Sequence, residues 1–321
     1  MNVTYPVSRL WQLYQFDGFA GIYHGIYRWW KFNANVDYRL RLAILRIGSI
    51  MSDQIIYRNI HGSLLRLDLK KEGVHRELGV YGTREKRSLE HYERRLQELD
   101  EQFGQIYVLD IGANIGHFAL LAERNLTNPT VVAAEPDPRN IEELKTNCLL
   151  NESNIRIEPV ACGAEPGETE LHLHRRSNWS SIEWADEDVI DTVAVDLTTI
   201  DELVRKYNIP QEALVILRMD TEGYEQQILE GAPALFDSDR SIYLFTELHP
   251  KKLPGDGTMR DLADLLTDAG FELDCFREGK GHDPYPIDAE IDDLRNWQDH
   301  PRLCKNGTHL FAERIEEAET A

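Results

Sequence analysis

The chain has 321 residues, and 56 Asp and Glu against 35 Lys and Arg leave a formal charge of −21. That length can bury the core of one large domain or two modest ones, and an apolar fraction of 42% excludes a disordered chain. The charge repels phosphate and argues against a nucleic-acid partner. No uncharged apolar stretch approaches the ~18 residues of a membrane span, and the N-terminus lacks a secretory leader's basic and apolar regions, so the expected location is cytoplasmic.

Residues 1–50 stand apart. They hold six basic and two acidic groups and 11 of the 29 aromatic residues, with a run from Trp11 to Lys31 that is apolar and aromatic with basic ends. Residues 38–47 read as a short helix. Such a segment suits a packed helical extension, a wall of the substrate pocket, a homodimer contact, or a peripheral membrane or partner surface without crossing a bilayer. Residues 55–60 and 63–69 read as strands separated by the turn His61-Gly62, and the whole of 55–82 reads as β. The division expected is an N-terminal helical and β extension over 1–82 and a main domain over 83–321. From Arg87 to Phe103, Leu89, Tyr92, Leu96, Leu99 and Phe103 recur at spacings of three and four, one face of a helix.

From residue 106 strands and helices alternate. Strands are expected at 106–110, 130–135, 155–160, 214–220 and 242–247, with closing strands at 271–276 and 309–313. Helices are expected up to about 124 and over 139–150, 199–207, 223–230 and 259–269, and added β pieces at 170–174 and 191–195. This pattern predicts an α/β fold, a mostly parallel sheet with helices on both faces. His172 and His174 alternate on one strand face and are expected at the surface. The polar loop 175–181 reads as a substrate cover or a solvated loop.

The first strand-to-helix turn reads Val108-Leu-Asp-Ile-Gly-Ala-Asn-Ile-Gly-His117. Gly112 permits a tight turn and close approach of a ligand to the backbone, and Gly116 lets the helix start lie near the strand. Asp110 ends the strand and aims a carboxylate into the crevice, where it would repel a pyrophosphate. The three-glycine dinucleotide pattern is missing, which disfavours a Rossmann oxidoreductase. A carboxylate there suits a cationic or hydroxyl-bearing ligand, and S-adenosyl-L-methionine carries an amino group, a sulfonium and a ribose. The second strand ends at Glu135-Pro136-Asp137, where an acid can accept hydrogen bonds from ribose hydroxyls.

Six blocks in order make the chain resemble the FkbM family of S-adenosylmethionine-dependent methyltransferases over residues 80–315. They are the glycine turn, Glu135-Pro-Asp-Pro, Val195-Asp-Leu-Thr-Thr-Ile-Asp-Glu-Leu, Met219-Asp-Thr-Glu-Gly-Tyr-Glu, Leu229-Glu-Gly-Ala and Glu247-Leu-His-Pro. The resemblance implies a class I, Rossmann-like methyltransferase fold and O-methylation of a sugar, glycan, glycolipid or natural-product hydroxyl. It assigns Asp110, Gly112, Asn114 and Glu135 to the cofactor, together with Ala113, Gly116, Pro136 and Ala161. Glu85 falls where the family often has an acid near the cofactor's methionine end. Arg218 departs from the family's more usual Lys, and the aromatic N-terminal segment lies outside the motif.

Methyl transfer to an alcohol needs alignment and removal of one proton. The strand ends deliver Asp220 with Glu222, and Glu247 with His249. His249 is expected as the base, because an imidazole titrates nearest neutrality, with the three acids orienting it or holding substrate hydroxyls. Glu222 and Glu225 also suit a helix N-terminus. Asp220, Glu222, Glu247 and His249 equally suit Mg²⁺ or Mn²⁺, although no metal is assigned. The same fold also serves N- or carboxyl-methylation, or a non-catalytic scaffold docking through residues 1–50. Cys148, Cys162, Cys275 and Cys304 match no zinc or disulfide spacing. With 25 Arg and only 10 Lys under such an acid excess, a halophilic, archaeal source is expected, since salt screens the self-repulsion.

Overall fold

A computed structural model describes residues 55–176, 179–182, 187–250, 258–279, 285–303 and 307–316. The aromatic segment 1–50, Asn178 and Cys304 lie outside these residues. The chain separates into two compact units, one up to Arg84 and one from Glu85 onward.

In the first unit, β1 (Ile55–Ile60) and β2 (Ser63–Asp68) form an antiparallel hairpin. Residues 74–81 are not β, as expected from sequence, but a helix, α1 (Val74–Tyr81). Val74 and Leu78 are one turn apart and both buried, and Gly82 ends the helix in a left-handed conformation with its N–H on Leu78 O at 2.9 Å. Gly79 has a packing reason: a Cβ there would lie 2.4 Å from Leu69 Cδ2.

The second unit begins with α2 (Lys86–Gln102), whose buried residues include Leu89, Tyr92, Leu96 and Leu99. The elements then run β3 (Ile106–Ile111), α3 (His117–Asn125), β4 (Thr130–Ala134), α4 (Pro138–Leu150), β5 (Arg156–Glu158), β6 (Ala161–Cys162), β7 (Gly167–His174), β8 (Val189–Thr198), α5 (Ile200–Lys206) and β9 (Leu214–Met219). They continue with α6 (Glu225–Glu230), α7 (Pro233–Phe236), β10 (Ile242–Leu248), α8 (Thr258–Asp268), β11 (Glu272–Glu278), a 3-10 turn (Ile291–Asn296) and β12 (Thr308–Arg314). The main sheet has seven strands in the order β5-β4-β3-β9-β10-β12-β11. The pairings β5–β4, β4–β3, β3–β9 and β9–β10 are parallel, and β12 runs antiparallel to both β10 and β11. Strands β9 and β10 are buried along their whole length, which is why they read as continuous apolar runs. From β3 the chain winds first toward β5 and later toward β10, so a crevice opens at the carboxyl ends of β3 and β9.

A second sheet, β6-β8-β7, flanks the end of β5. Its long strands exceed the short pieces expected. His174 corrects the surface expectation: it is fully buried. The register slips between Leu173 and His174, and an irregularity of this kind breaks the simple alternation on which the expectation rested. Arg139 ties this sheet to α4, since its guanidinium grips Asp137 (Nη2 to Oδ2, 2.6 Å) and donates to His174 O at 2.9 Å and Ser180 Oγ at 3.1 Å. Cys148, Cys162 and Cys275 are buried free thiols, and burial pushes them up to about 11, 12 and 11 respectively.

Candidate active site

The glycine turn after β3 is built by backbone constraints. Gly112 has φ +73°, and a Cβ on it would sit 2.2 Å from Asp220 O. Only a residue without a side chain lets the turn pass the end of β9. The N–H groups of Gly112 and Ala113 both donate to Ala134 O, at 2.9 and 3.1 Å. Gly116, with φ +85°, precedes α3, and a Cβ there would strike Leu144 Cδ1 at 2.4 Å. Asn114 takes φ +51° and donates its backbone N–H to Glu135 Oε2 at 2.7 Å. Glu135 Oε1 accepts from Asp137 N at 2.9 Å and Asn140 Nδ2 at 3.3 Å. Burial, and then the neighbouring Asp137, push the Glu135 carboxyl up to about 7, against the pull of these donors.

Pro136 lines an open pocket of about 320 Å³ with Pro138, Pro159 and the β8 residues Val193 to Asp196. Ala161 is buried where β6 pairs with β8. The turn therefore brings Gly112, Ala113, Asn114 and Glu135 together, with Pro136 at the edge of the neighbouring pocket.

Asp110 is not open to the crevice as the sequence suggested. It is 1% exposed, and Arg218 Nη1, from the paired position on β9, donates to its Oδ1 at 3.1 Å. The other arm of Arg218 reaches Asp220 Oδ2 at 3.2 Å, and its guanidinium lies 4.1 Å from the centre of the Phe118 ring. Burial favours protonation of Asp110 while Arg218 opposes it, and the net direction is upward. Two carboxylates facing one guanidinium leave negative charge at this point, a fit for a cationic ligand. Asp110 Oδ2 makes no hydrogen bond.

The far side of the crevice is built from side chains. His249, just beyond β10, is 4% exposed. Its Nδ1 lies 3.0 Å from Glu225 Oε1. Its Nε2 faces Glu222 Oε2 at 3.4 Å and Glu247 Oε1 at 3.5 Å. Burial alone would lower the proton affinity of His249, but Glu225 and Glu247 raise it well above the usual imidazole value. Glu247 is correspondingly held well below the usual carboxylate range, because His249 and His309 outweigh its burial. Glu225 Oε1 also accepts from Gly223 N at 3.0 Å, so the helix-start reading of that residue and a site reading coexist. Asp220 joins Glu222 and His249, with one ligand atom from each lying within 4.8 Å of the others.

Sequence reasoning missed His309. It is fully buried on β12, directly opposite Glu247 on β10, and its Nε2 lies 3.6 Å from Glu247 Oε2 and 3.6 Å from Glu85 Oε2. Gly279 leaves room for this ring, since a Cβ there would be 2.6 Å from His309 Nε2. No local motif marks His309; only the antiparallel pairing of two strands distant in sequence does. Glu85 thus stands beside His309, and its charge also acts on the Arg218 guanidinium.

Strand order, a reversed strand between the last two parallel ones, and a crevice with a glycine turn facing an acid-rich wall define a class I methyltransferase. Residues 110–273, just over half of the chain, match the Methyltransferase FkbM domain model, and the chain belongs to that family. It is an S-adenosylmethionine-dependent methyltransferase. It is similar to the methyltransferase sdnD of Sordaria araneosa, 24% identical over 196 residues that cover 52% of this chain and 74% of that protein. Among solved structures, it is similar to the M. jannaschii tRNA m1G37 methyltransferase, with 13% identity, TM-score 0.42, and 88% of this chain and 70% of that one covered. It is also similar to a SAM-dependent methyltransferase from Agrobacterium tumefaciens, with 10% identity, TM-score 0.42, and coverage of 83% and 71%. No helix among the described residues is long and apolar enough to cross a membrane.

Proposed function

We propose that this methyltransferase acts on a hydroxyl of a neutral, hydroxyl-rich acceptor such as a sugar, a glycan or glycolipid, or a natural product. The observation that carries the reading is the set of carboxylates around His249. Carboxylates accept hydrogen bonds from hydroxyls and repel phosphorylated or carboxylated acceptors.

When bound, S-adenosylmethionine supplies a methyl carbon whose bond to sulfur breaks as its bond to the acceptor oxygen forms, and the sulfonium becomes a neutral thioether. Glu135 holds the ribose hydroxyls, Pro136 and Ala161 border the base, and Gly112, Ala113, Asn114 and Gly116 let the backbone approach the ligand. Asp110, Asp220 and Arg218 give the methionine end a net negative wall, and Glu85 belongs to the same end. Asp220, Glu222, Glu247 and His249 receive the acceptor, and the hydroxyl proton passes to the imidazole–carboxylate set. Activity and stability both require high salt, which screens the charge of −21. Residues 1–50 supply a docking or dimer surface.

The test is transfer of label from methyl-labelled cofactor, in molar KCl, to neutral glycosides and to their phosphorylated and carboxylated counterparts. Product that survives alkaline hydrolysis, from neutral acceptors alone, supports an ether. Label lost to base as methanol assigns carboxyl methylation instead, and labelled amines assign N-methylation.

A further inference from the structure

We propose that Asp220 takes the acceptor's hydroxyl proton, and that His249 is a positioning residue, a fixed cation that holds the surrounding carboxylates and takes no proton itself. This rests on the hydroxyl acceptor proposed above and divides the roles among the side chains that receive it.

A neutral imidazole has one N–H and one bare nitrogen, and only the bare nitrogen can take a proton. Both ring nitrogens of His249 face carboxylates. Nδ1 lies 3.0 Å from Glu225 Oε1, and Nε2 lies 3.4 Å from Glu222 Oε2 and 3.5 Å from Glu247 Oε1. A lone pair on either side would meet carboxylate oxygen, so each nitrogen carries a hydrogen and the ring is an imidazolium. Burial opposes that charge, and Glu225 and Glu247 override it. His91 shows the contrasting pattern: Arg94 Nη2 lies 2.8 Å from its Nδ1, and Asp274 Oδ2 lies 2.8 Å from its Nε2. A guanidinium only donates and a carboxylate only accepts, so that ring keeps one accepting and one donating nitrogen.

The proton must then go to a carboxylate, and the four around His249 differ. Glu225 has 1% of its side chain exposed, and its Oε1 already accepts from Gly223 N. Glu247 is 4% exposed and lies between two imidazoles, with His309 Nε2 3.6 Å from its Oε2. Glu222 is 8% exposed and faces His249. Asp220 is 14% exposed. Arg218 Nη2 donates to its Oδ2 at 3.2 Å, and its Oδ1 accepts no hydrogen bond among the described residues. Its backbone also meets the glycine turn: Asp220 N donates to Ile111 O at 3.1 Å, and Asp220 O fills the space of a Cβ on Gly112. On its other side, Glu222 and His249 each place a polar atom within 4.8 Å of its carboxylate. Asp220 therefore stands at both walls of the crevice.

In the transfer, the acceptor oxygen gains its bond to the methyl carbon, the carbon–sulfur bond breaks with its electron pair left on sulfur, and the O–H proton moves to Asp220 Oδ1. The sulfonium's charge is lost in the same event, and a carboxylate that loses a cation binds a proton more readily. Arg218 does not cancel this, because its one guanidinium is shared between Asp220 and Asp110. The exposed edge of Asp220 then returns the proton to solvent.

The first readout needs neither cofactor nor acceptor. In the full-length protein with isotope-labelled histidine, in molar KCl, nuclear magnetic resonance should find both ring nitrogens of His249 protonated from about pH 6 to about pH 9, a range in which a free imidazole loses its charge. His249→Gln identifies the signal. A ring that titrates inside that range overturns the proposal. The second readout is the pH profile of label transfer to the neutral glycoside of the assay above, at saturating cofactor. In wild type and in His249→Ala the rate should fall on the acid side. Asp220→Asn should be slower by about 10²–10⁴-fold and should lose that fall. Formate should restore part of the rate to Asp220→Ala and none to His249→Ala. An acid-side fall that persists in Asp220→Asn, or vanishes in His249→Ala, also overturns the proposal. A base-labile or amine product defeats the hydroxyl reading instead, and the ring measurement still decides the role of His249.

Discussion

The two walls of the crevice are made in opposite ways. The proposed cofactor wall is one continuous stretch, from Asp110 to Gly116, whose shape is set by main-chain geometry and by two glycines of positive φ. The transfer wall gathers side chains from the ends of β9 and β10, the start of α6 and the start of β12. The first is local and rigid, and the second is assembled by tertiary pairing. A lesion in the main-chain turn should distort the turn itself, whereas one in the side-chain wall should damage the chemistry while leaving the turn intact.

The largest effect expected is Gly112→Ala. Its Cβ would overlap the Asp220 carbonyl, and its positive φ adds strain, so a loss above ~5 kcal/mol is expected together with loss of cofactor binding. Thermal melting and calorimetric titration check this. A variant with the stability of the wild type would break the contrast.

Arg218→Met comes next, because Arg218 spans both walls through Asp110 and Asp220. Removing one partner of a buried pair costs about 3–5 kcal/mol. Denaturant unfolding should show this, and Asp110→Asn added to Arg218→Met should recover much of it.

His249→Ala should lower kcat by about 10²–10⁴-fold and lower the melting temperature, because three buried carboxylates lose their imidazole, while the cofactor Kd stays near that of the wild type. A parallel fall in cofactor affinity would mean that the walls are not separable.

The smallest effect is a pH dependence at Glu135. Its carboxyl titrates near 7, and only the ionised form accepts hydrogen bonds through both oxygens. Cofactor affinity should therefore rise as pH increases through 7 and then level off, and Glu135→Gln should flatten the curve. The cofactor-free protein should lose stability over the same range, from the ordinary carboxyl value of 4.5 up to about 7, because the folded state holds a proton that the unfolded chain has released.

The same contrast explains what could be read from the sequence. The turn conformations of Gly112 and Gly116 and the place of Glu135 beside them were legible because the turn, its strand and the acid after the next strand are near neighbours in the chain. The buried runs of β3, β9 and β10 were legible as continuous apolar stretches. Helix α1 was not, because eight residues between two glycines carry too few apolar positions to fix a period. His309 was invisible for a different reason: its role exists only once β12 lies against β10 in the register that sets it opposite Glu247. The partner of Asp110 was hidden likewise, since it lies 108 positions along the chain, on a strand joined by hydrogen bonds and not by sequence.

The reversed strand β12 therefore has a consequence for the order of events during synthesis. It is the last strand described, yet it fills the gap between β10 and β11, the two strands that flank it in the sheet. While the ribosome still holds residues 308–314, the glycine turn can already form against β4, but Glu247 has no imidazole opposite it and β10 and β11 each expose an unpaired edge. Non-local closure of this kind is slow, and a nascent chain at that stage is the form most open to chaperones and to mispairing with another copy.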